Sequence, residues 1–234
     1  MEQIVSNYIK RMRDKYEVSA VIVAGSYVTG RMGPNSDIDI FFLWPREYEA
    51  MRGRERFEGI EFEYFLSPEW KYYDRMRTDP VSVRLYSRGK ALWDPDGRMA
   101  RIIATAQEKA TESPSPLSDD SKRDLAFWLE TVRRDGEDLF RAGAFDNFAY
   151  LTSVSLAQMT RVLCRIRESM PVYGKYGADE VAAVDREYAD LLRGFLRLAP
   201  NDPERLDLWV GLCRYLEAGL GNVDVEEYSS IQRL

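Results

Sequence analysis

The fold of the chain is indicated by residues 18–43, which read VSAVIVAGSYVTGRMGPNSDIDIFFL. The first seven residues are mostly apolar and β-branched, which predicts a buried strand, and the Gly25-Ser26 turn follows them. The last seven predict a second strand that begins with Asp37 and Asp39, spaced so that both carboxylates lie on one face. The segment therefore joins a turn whose amides can bind phosphate to two hard oxygen ligands that suit Mg²⁺.

A third predicted strand, residues 59–66, carries two further acidic residues. Glu61 and Glu63 alternate with Phe62 and Tyr64, so the two carboxylates share one face. A charged side chain within a strand needs a metal ion or solvent beside it. Alternation places Glu61 and Glu63 on the same face, so it does not show which of them would join Asp37 and Asp39 as a third carboxylate.

The rest of the first half predicts helices and one short strand. Helical spacing of apolar residues predicts an amphipathic helix over residues 2–16. Further helices are predicted over 68–78, 80–88 and 99–112, with an edge strand at 90–93. Arginines and glutamates largely cancel in residues 45–58, so we expect a solvated helix or loop there rather than a clamp for a triphosphate.

A domain boundary is predicted at residues 113–118, where two prolines and three serines end the preceding helix. Beyond it, apolar residues recur at helical spacing and predict four helices, over 122–142, 145–169, 178–198 and 203–220. We therefore expect an α+β chain. A domain with a mixed sheet spans residues 1–114, and a helical bundle spans residues 119–234.

Composition excludes several classes of chemistry. The 234 residues include no histidine, which removes catalytic triads and zinc sites that depend on histidine. The net charge of −6 argues against a nucleic acid partner. Cys164 and Cys213 lie in apolar helical patterns and are expected to be buried thiols. Since no apolar stretch has the length of a membrane span or signal peptide, we expect a cytoplasmic protein with no membrane partner.

The order of these elements resembles the nucleotidyltransferase superfamily of polymerase β-like folds. Gly25-Ser26, ten residues and then Asp37-x-Asp39 is similar to the signature of minimal, aminoglycoside and lincosamide nucleotidyltransferases. The resemblance implies that Gly25 and Ser26 hold the β- and γ-phosphates of a nucleoside triphosphate. It implies that Asp37 and Asp39 bind Mg²⁺ or Mn²⁺, and that Ser36 flanks the nucleotide.

The resemblance also implies a third carboxylate, which shares the metal ion or accepts the proton of the attacking hydroxyl. Glu63 is favoured because Glu-Tyr-Phe resembles family members in which the acid precedes two aromatic residues. Glu61 stays a second candidate. In the bundle, Lys175 lies in a glycine- and tyrosine-rich loop and Asp146 begins a helix. We expect an interhelical turn and a helix cap at these two positions, and a cleft-facing role is the alternative for each.

The resemblance implies an enzyme that transfers a nucleoside monophosphate, with AMP from ATP expected, to a hydroxyl of a small molecule. Pyrophosphate is released, and the helical domain binds the acceptor. One alternative is an adenylyltransferase that modifies a tyrosine of a toxin-like protein partner, and another is a non-catalytic nucleotide-binding scaffold. The sequence does not decide between a monomer and a homodimer. The bundle is not expected to be a ribonuclease of the helical toxin type, whose motif ends in the histidine that this chain lacks.

Overall fold

The computed structural model describes residues 1–172, 174–226 and 228–229. The chain forms two compact units, Met1–Glu112 and Ser113–Leu234. The first contains a five-stranded mixed sheet and the second is helical, which confirms the predicted α+β class.

The first unit has ten elements. They are α1 (Glu2–Tyr16), β1 (Ala20–Ala24), α2 (Gly25–Val28), β2 (Ile38–Leu43), β3 (Met51–Phe57), β4 (Ile60–Ser67), α3 (Glu69–Thr78), α4 (Pro80–Ser87), β5 (Lys90–Trp93) and α5 (Arg98–Thr111). The strand order is β3-β4-β2-β1-β5. β2 and β4 run parallel, and every other neighbouring pair is antiparallel. Three central strands therefore carry the segments that the sequence marks as functional.

The two faces of the sheet are covered differently. On one face α1 buries an apolar stripe, in which Tyr8 stacks on Phe62 with ring centroids 3.9 Å apart. On the other face, Phe41 stacks on Phe65 at 4.7 Å and meets the edge of Tyr86 from α4. Aromatic packing thus buries this second face at Phe41, and Asp39, two residues earlier on the same face, is half-buried.

The prediction for residues 45–58 is wrong, because part of this segment forms strand β3. Phe57 pairs with Ile60, so only Glu58 and Gly59 connect β3 to β4. Both have positive φ, 46° and 82°, as a two-residue hairpin turn of the favoured twist requires. Gly53 also lies against the ring of Tyr64, where a Cβ atom would stand 2.2 Å from Cζ. The turn and this close contact, rather than charge balance, decide the conformation.

The second unit has five helices among its described residues, and not the four that were predicted. They are α6 (Asp119–Arg141), α7 (Phe145–Ile166), α8 (Gly177–Val184), α9 (Arg186–Arg197) and α10 (Pro203–Gly219). The segment predicted as one helix over 178–198 is divided at Asp185, whose backbone is extended, with φ −157°. Its carboxylate accepts a hydrogen bond from the Tyr188 amide at 3.0 Å and so begins α9 as an N-cap.

Asp185 also joins three parts of the second unit. Arg167 Nε donates to its carboxylate at 2.7 Å and the Tyr215 hydroxyl donates at 2.9 Å, while the Asp185 side chain is only 7% exposed. Burial disfavours its charge. The hydrogen bonds from the Tyr188 amide, Arg167 and Tyr215 outweigh burial and hold the pKa of Asp185 below its usual range.

The cysteines lie in the core of the second unit. Cys164 and Cys213 are buried free thiols, as predicted, and burial raises the pKa of Cys213. No helix within the described ranges is long and apolar enough to cross a membrane.

Replacing Asp185 with alanine is expected to destabilise the second unit by about 2–3 kcal/mol, because a cap and the hydrogen bonds of a buried carboxylate to Arg167 and Tyr215 are both lost. The folded-state pKa is depressed, so the contribution of Asp185 is complete above its unfolded pKa and is lost as the pH falls below about 4. Urea unfolding followed by far-ultraviolet circular dichroism measures both effects. Asp190→Ala, which removes an exposed partner of Arg193, should change stability by less than about 0.5 kcal/mol.

Candidate functional site

A row of paired residues crosses four strands at the site. Ala24 of β1 lies opposite Asp39 of β2, Asp39 opposite Glu63 of β4, and Glu63 opposite Arg54 of β3. Side chains in such a row point to the same face of a sheet. The alternate residues Ile38, Ile40 and Phe62 are fully buried on the other face. The register therefore aligns the end of β1 with Asp39 on β2 and with Glu63 on β4.

Gly25 lies directly against the Asp39 carboxylate. Its φ is +70°, and a Cβ atom built on it would stand 2.1 Å from Asp39 Oδ2. No other residue type fits this backbone without moving the carboxylate. Position 25 therefore requires glycine for two reasons: its backbone is in the left-handed region, and a side chain would collide with Asp39.

Gly25 begins α2, a single turn of helix. Its carbonyl accepts hydrogen bonds from the amide and the hydroxyl of Thr29, at 3.3 and 3.2 Å, and the Ser26 carbonyl accepts from the Arg31 amide at 2.9 Å. The first amides of a helix have no acceptor within it, so phosphate oxygens are suitable partners. The hydrogen bonds orient the turn beside Asp39.

Ser36 closes the loop that leads into β2. Its hydroxyl accepts a hydrogen bond from the Gly33 amide at 2.9 Å, and its own amide donates to the Gly33 carbonyl at 3.0 Å. This turn places Asp37 immediately before β2, with its side chain 31% exposed. A contact of Ser36 with the nucleotide stays a prediction.

Three arginines of β3 contact the acidic residues of the site. Arg52 Nε donates to Glu63 at 2.6 Å. Arg54 lies 3.3 Å from Glu61 and 3.9 Å from Asp37, and Arg56 lies 3.7 Å from Glu61. We call these residues, Arg52, Arg54 and Arg56, the arginine stripe. Sequence reasoning assigned them no role, although their alternation before the Glu58-Gly59 turn was a signal of a strand.

The donor chemistry of the site suits a divalent cation. Asp37 and Asp39 carry carboxylate oxygens, the ligand type that Mg²⁺ prefers. Within the described residues, however, no three acidic, cysteine or histidine side chains converge as a metal site. Arg52 engages Glu63, so a third ligand from Glu63 would require this ion pair to open. Asp37 and Asp39 are the remaining carboxylates that would hold the ion, and Arg54 lies 3.9 Å from Asp37.

The two bundle candidates lie in the second unit. Asp146 is exposed in the first turn of α7, but Ala144 is the N-cap and no side chain caps the helix, so the predicted cap role is wrong. Lys175 is exposed and its ammonium lies 5.4 Å from the centroid of the Tyr176 ring. Tyr173 of the same predicted loop lies outside the described residues. A cleft-facing role for Asp146 or Lys175 stays a prediction.

Comparison with known proteins identifies the first unit. Residues 5–82 match the family model of the nucleotidyltransferase domain, a segment that includes the Gly25 turn, the Asp pair and Glu63. The match confirms, for this segment, the predicted resemblance to nucleotidyltransferases of the polymerase β-like superfamily.

More distant comparisons add little to this assignment. The chain is similar to a solved nucleotidyltransferase-like protein from Exiguobacterium sibiricum 255-15, at 14% sequence identity and a TM-score of 0.47. The similarity covers 95% of this chain and 75% of that one. No curated protein matches the chain.

Gly25→Ala is expected to weaken binding of a nucleoside triphosphate by about 10-fold or more, because the new Cβ displaces the Asp39 carboxylate beside the turn. Gly30→Ala is the matched control. Gly30 has the same φ of +70° but no atom within 4 Å of a built Cβ. Both variants should lose about 1 kcal/mol of stability to backbone strain, and only Gly25→Ala should lose affinity in calorimetry. Equal affinity in the two variants would show that the contact with Asp39 has no part in binding.

Proposed function

We propose that the protein is a metal-dependent nucleotidyltransferase that moves a nucleoside monophosphate, with AMP expected, from a triphosphate to a hydroxyl of a small molecule and releases pyrophosphate. One observation carries the proposal. Within a matched nucleotidyltransferase domain, the strand register aligns the Gly25 turn, Asp39 and Glu63 on one face. The assignment of Mg²⁺ or Mn²⁺ and of ATP rests on the donor chemistry and on the family resemblance.

Each group of the row has a distinct task in this reaction. The first amides of α2 would bind the β- and γ-phosphates, because they are donors without helical acceptors. Asp37 and Asp39 would hold the divalent ion, which supplies positive charge to the triphosphate when bound. Glu63 would accept the proton of the attacking hydroxyl.

The register supports Glu63 rather than Glu61 as the third carboxylate. Glu63 is the direct cross-strand neighbour of Asp39, whereas Glu61 lies two residues away along β4 and contacts Arg54 and Arg56. Adjacent parallel strands are about 4.8 Å apart and diagonal neighbours about 7–8 Å, so the register places Glu63 nearer to Asp39 than Glu61. Arg52 would have to release Glu63 before that carboxylate can accept a proton.

The second unit is proposed to bind the acceptor. A protein tyrosine of a partner is the competing acceptor. The decisive experiment incubates the full chain with Mg²⁺, each nucleoside triphosphate labelled at the α-phosphate, hydroxyl-bearing small molecules and a cell lysate. Label on a small molecule supports the proposal, and label on a protein supports the alternative. Label that never leaves the triphosphate would favour a binding scaffold.

Asp37→Asn and Asp39→Asn are each expected to abolish transfer and preserve the fold, since each removes a ligand charge but little volume. Transfer of the α-phosphate label at saturating Mg²⁺ is the measurement. Asp74→Asn, in an exposed ion pair of α3 with Arg77, serves as the control and should keep full activity. Undiminished turnover in either site variant would contradict the assignment of the two carboxylates.

Glu63→Gln is expected to lower turnover by about 10²–10⁴-fold with nucleotide affinity largely preserved, as for loss of a general base. Glu61→Gln should cost much less, because that carboxylate lies further from Asp39. Single-turnover kinetics and nucleotide titration of the two variants separate catalysis from binding. The reverse ranking would move the role to Glu61, and small effects in both would point to Asp146 or Lys175 of the second unit.

A further inference from the structure

The arginine stripe presents three exposed guanidinium groups, each paired with a carboxylate of the site, to which the proposed reaction assigns no task. The side chains of Arg52, Arg54 and Arg56 are 70%, 64% and 73% exposed. The intervening residues Gly53 and Glu55 are half-buried, so the stripe occupies a single face of β3. Arg54 pairs directly with Glu63, and the stripe is therefore continuous with the site face.

The sheet order places the stripe on the side of β2 that is opposite the Gly25 turn. In the sheet order, β1 and its Gly25 turn are on one side of β2, while β4 and then β3 are on the other. In-line displacement at phosphorus places the attacking hydroxyl opposite the leaving group. If pyrophosphate leaves toward the turn, the hydroxyl approaches from β4. The next groups that a molecule on this side meets are the guanidinium groups of β3.

The ion pairs of the stripe can exchange partners. The guanidinium groups are well exposed, and the carboxylates of Asp37 and Glu61 are 31% and 32% exposed, so these pairs contribute little free energy. The Glu63 carboxylate, at 15%, is the least exposed of the three partners. Arg54 contacts Asp37, and Arg52 contacts the proposed base Glu63. If Asp37 binds a metal ion, and if Arg52 releases Glu63 as the proposed base role requires, these two arginines lose charged acceptors. An anion from the substrate would then replace the carboxylates at small cost.

The guanidinium group of Arg52, which would bind such an anion, lies over an aromatic ring. Its Cζ lies 5.3 Å from the centroid of the Phe65 ring, and Phe65 is stacked on the buried Phe41. A guanidinium held over an aromatic ring loses less side-chain entropy when it binds a ligand. Its planar fork of donors matches the two oxygens of a carboxylate or phosphate.

We propose that the arginine stripe binds an oxyanion of the acceptor, so that the acceptor is a hydroxyl compound carrying a phosphate or carboxylate group. The inference rests on the proposed function. It excludes polycationic amino sugars as the natural acceptor class, because the stripe would repel their charge.

The test is an anion titration of the full chain saturated with Mg²⁺ and a non-hydrolysable ATP analogue, so that the nucleotide site is already filled. Heteronuclear NMR follows the Nε–H resonances of the three arginines during addition of inorganic phosphate, acetate or kanamycin in separate arms. Saturable shifts at the stripe with phosphate or acetate are expected. The tighter of the two anions identifies the acceptor group.

Two arginine variants test whether the anion binds at the stripe. Arg54→Gln is expected to weaken the anion about 10-fold, as loss of one charge-assisted hydrogen bond does. Arg77→Gln is the control and should change affinity less than 2-fold, because Arg77 lies outside the stripe. Its exposure of 71% is similar to the 64% of Arg54, and it also pairs with an acidic residue. The proposal is overturned if neither anion gives saturable shifts at the stripe, if both variants bind equally, or if kanamycin occupies the stripe.

Failure of this inference is distinguishable from failure of the proposed function. The amide resonances of Gly25 and Ser26 report binding of the nucleotide analogue before any anion is added. Absence of nucleotide binding there would refute the proposed function and the inference together. Nucleotide binding without anion binding would refute the inference alone.

Discussion

The contact between the Gly25 backbone and the Asp39 carboxylate is the constraint on which the site depends. A built Cβ atom would lie 2.1 Å from Asp39 Oδ2, so the turn approaches the carboxylate only because a glycine is present. The contact needs β1 and β2 paired with Ala24 opposite Asp39. A slip of one residue would turn Asp39 toward the buried face and remove the phosphate turn from the acidic residue. Register and chemistry are therefore specified together.

The parallel pairing of β2 with β4 extends this alignment to a second acidic residue. Burial of Ile38, Ile40 and Phe62 beneath α1 orients both strands, and their alternate residues Asp39 and Glu63 share the opposite face. Like charges on neighbouring strands repel each other, and the β3 arginines offset that repulsion. The same arginines place three guanidinium groups beside the acidic residues of a chain whose net charge is −6.

Two differences between expectation and structure have a common cause. Strand β3 was missed because charge cancellation in residues 45–58 does not reveal that Glu58 and Gly59 adopt positive φ and pair the segment with β4. The helix break at Asp185 was missed because apolar periodicity continues across it, while the hydrogen bonds of Asp185 come from Arg167 and Tyr215. A local turn determines the structure in the first case, and hydrogen bonds from residues distant in the chain determine it in the second. Neither is visible in the periodic pattern.

Local pattern by itself determined the existence of the central strands, the turn at Gly25 and the first helix. These features depend on side-chain alternation and apolar spacing, which act within a few residues. Only the tertiary structure decided that Glu63 rather than Glu61 lies opposite Asp39 and that the arginines of β3 contact this acidic cluster. Strand order and register come from packing between distant segments, and local spacing carries no information about them.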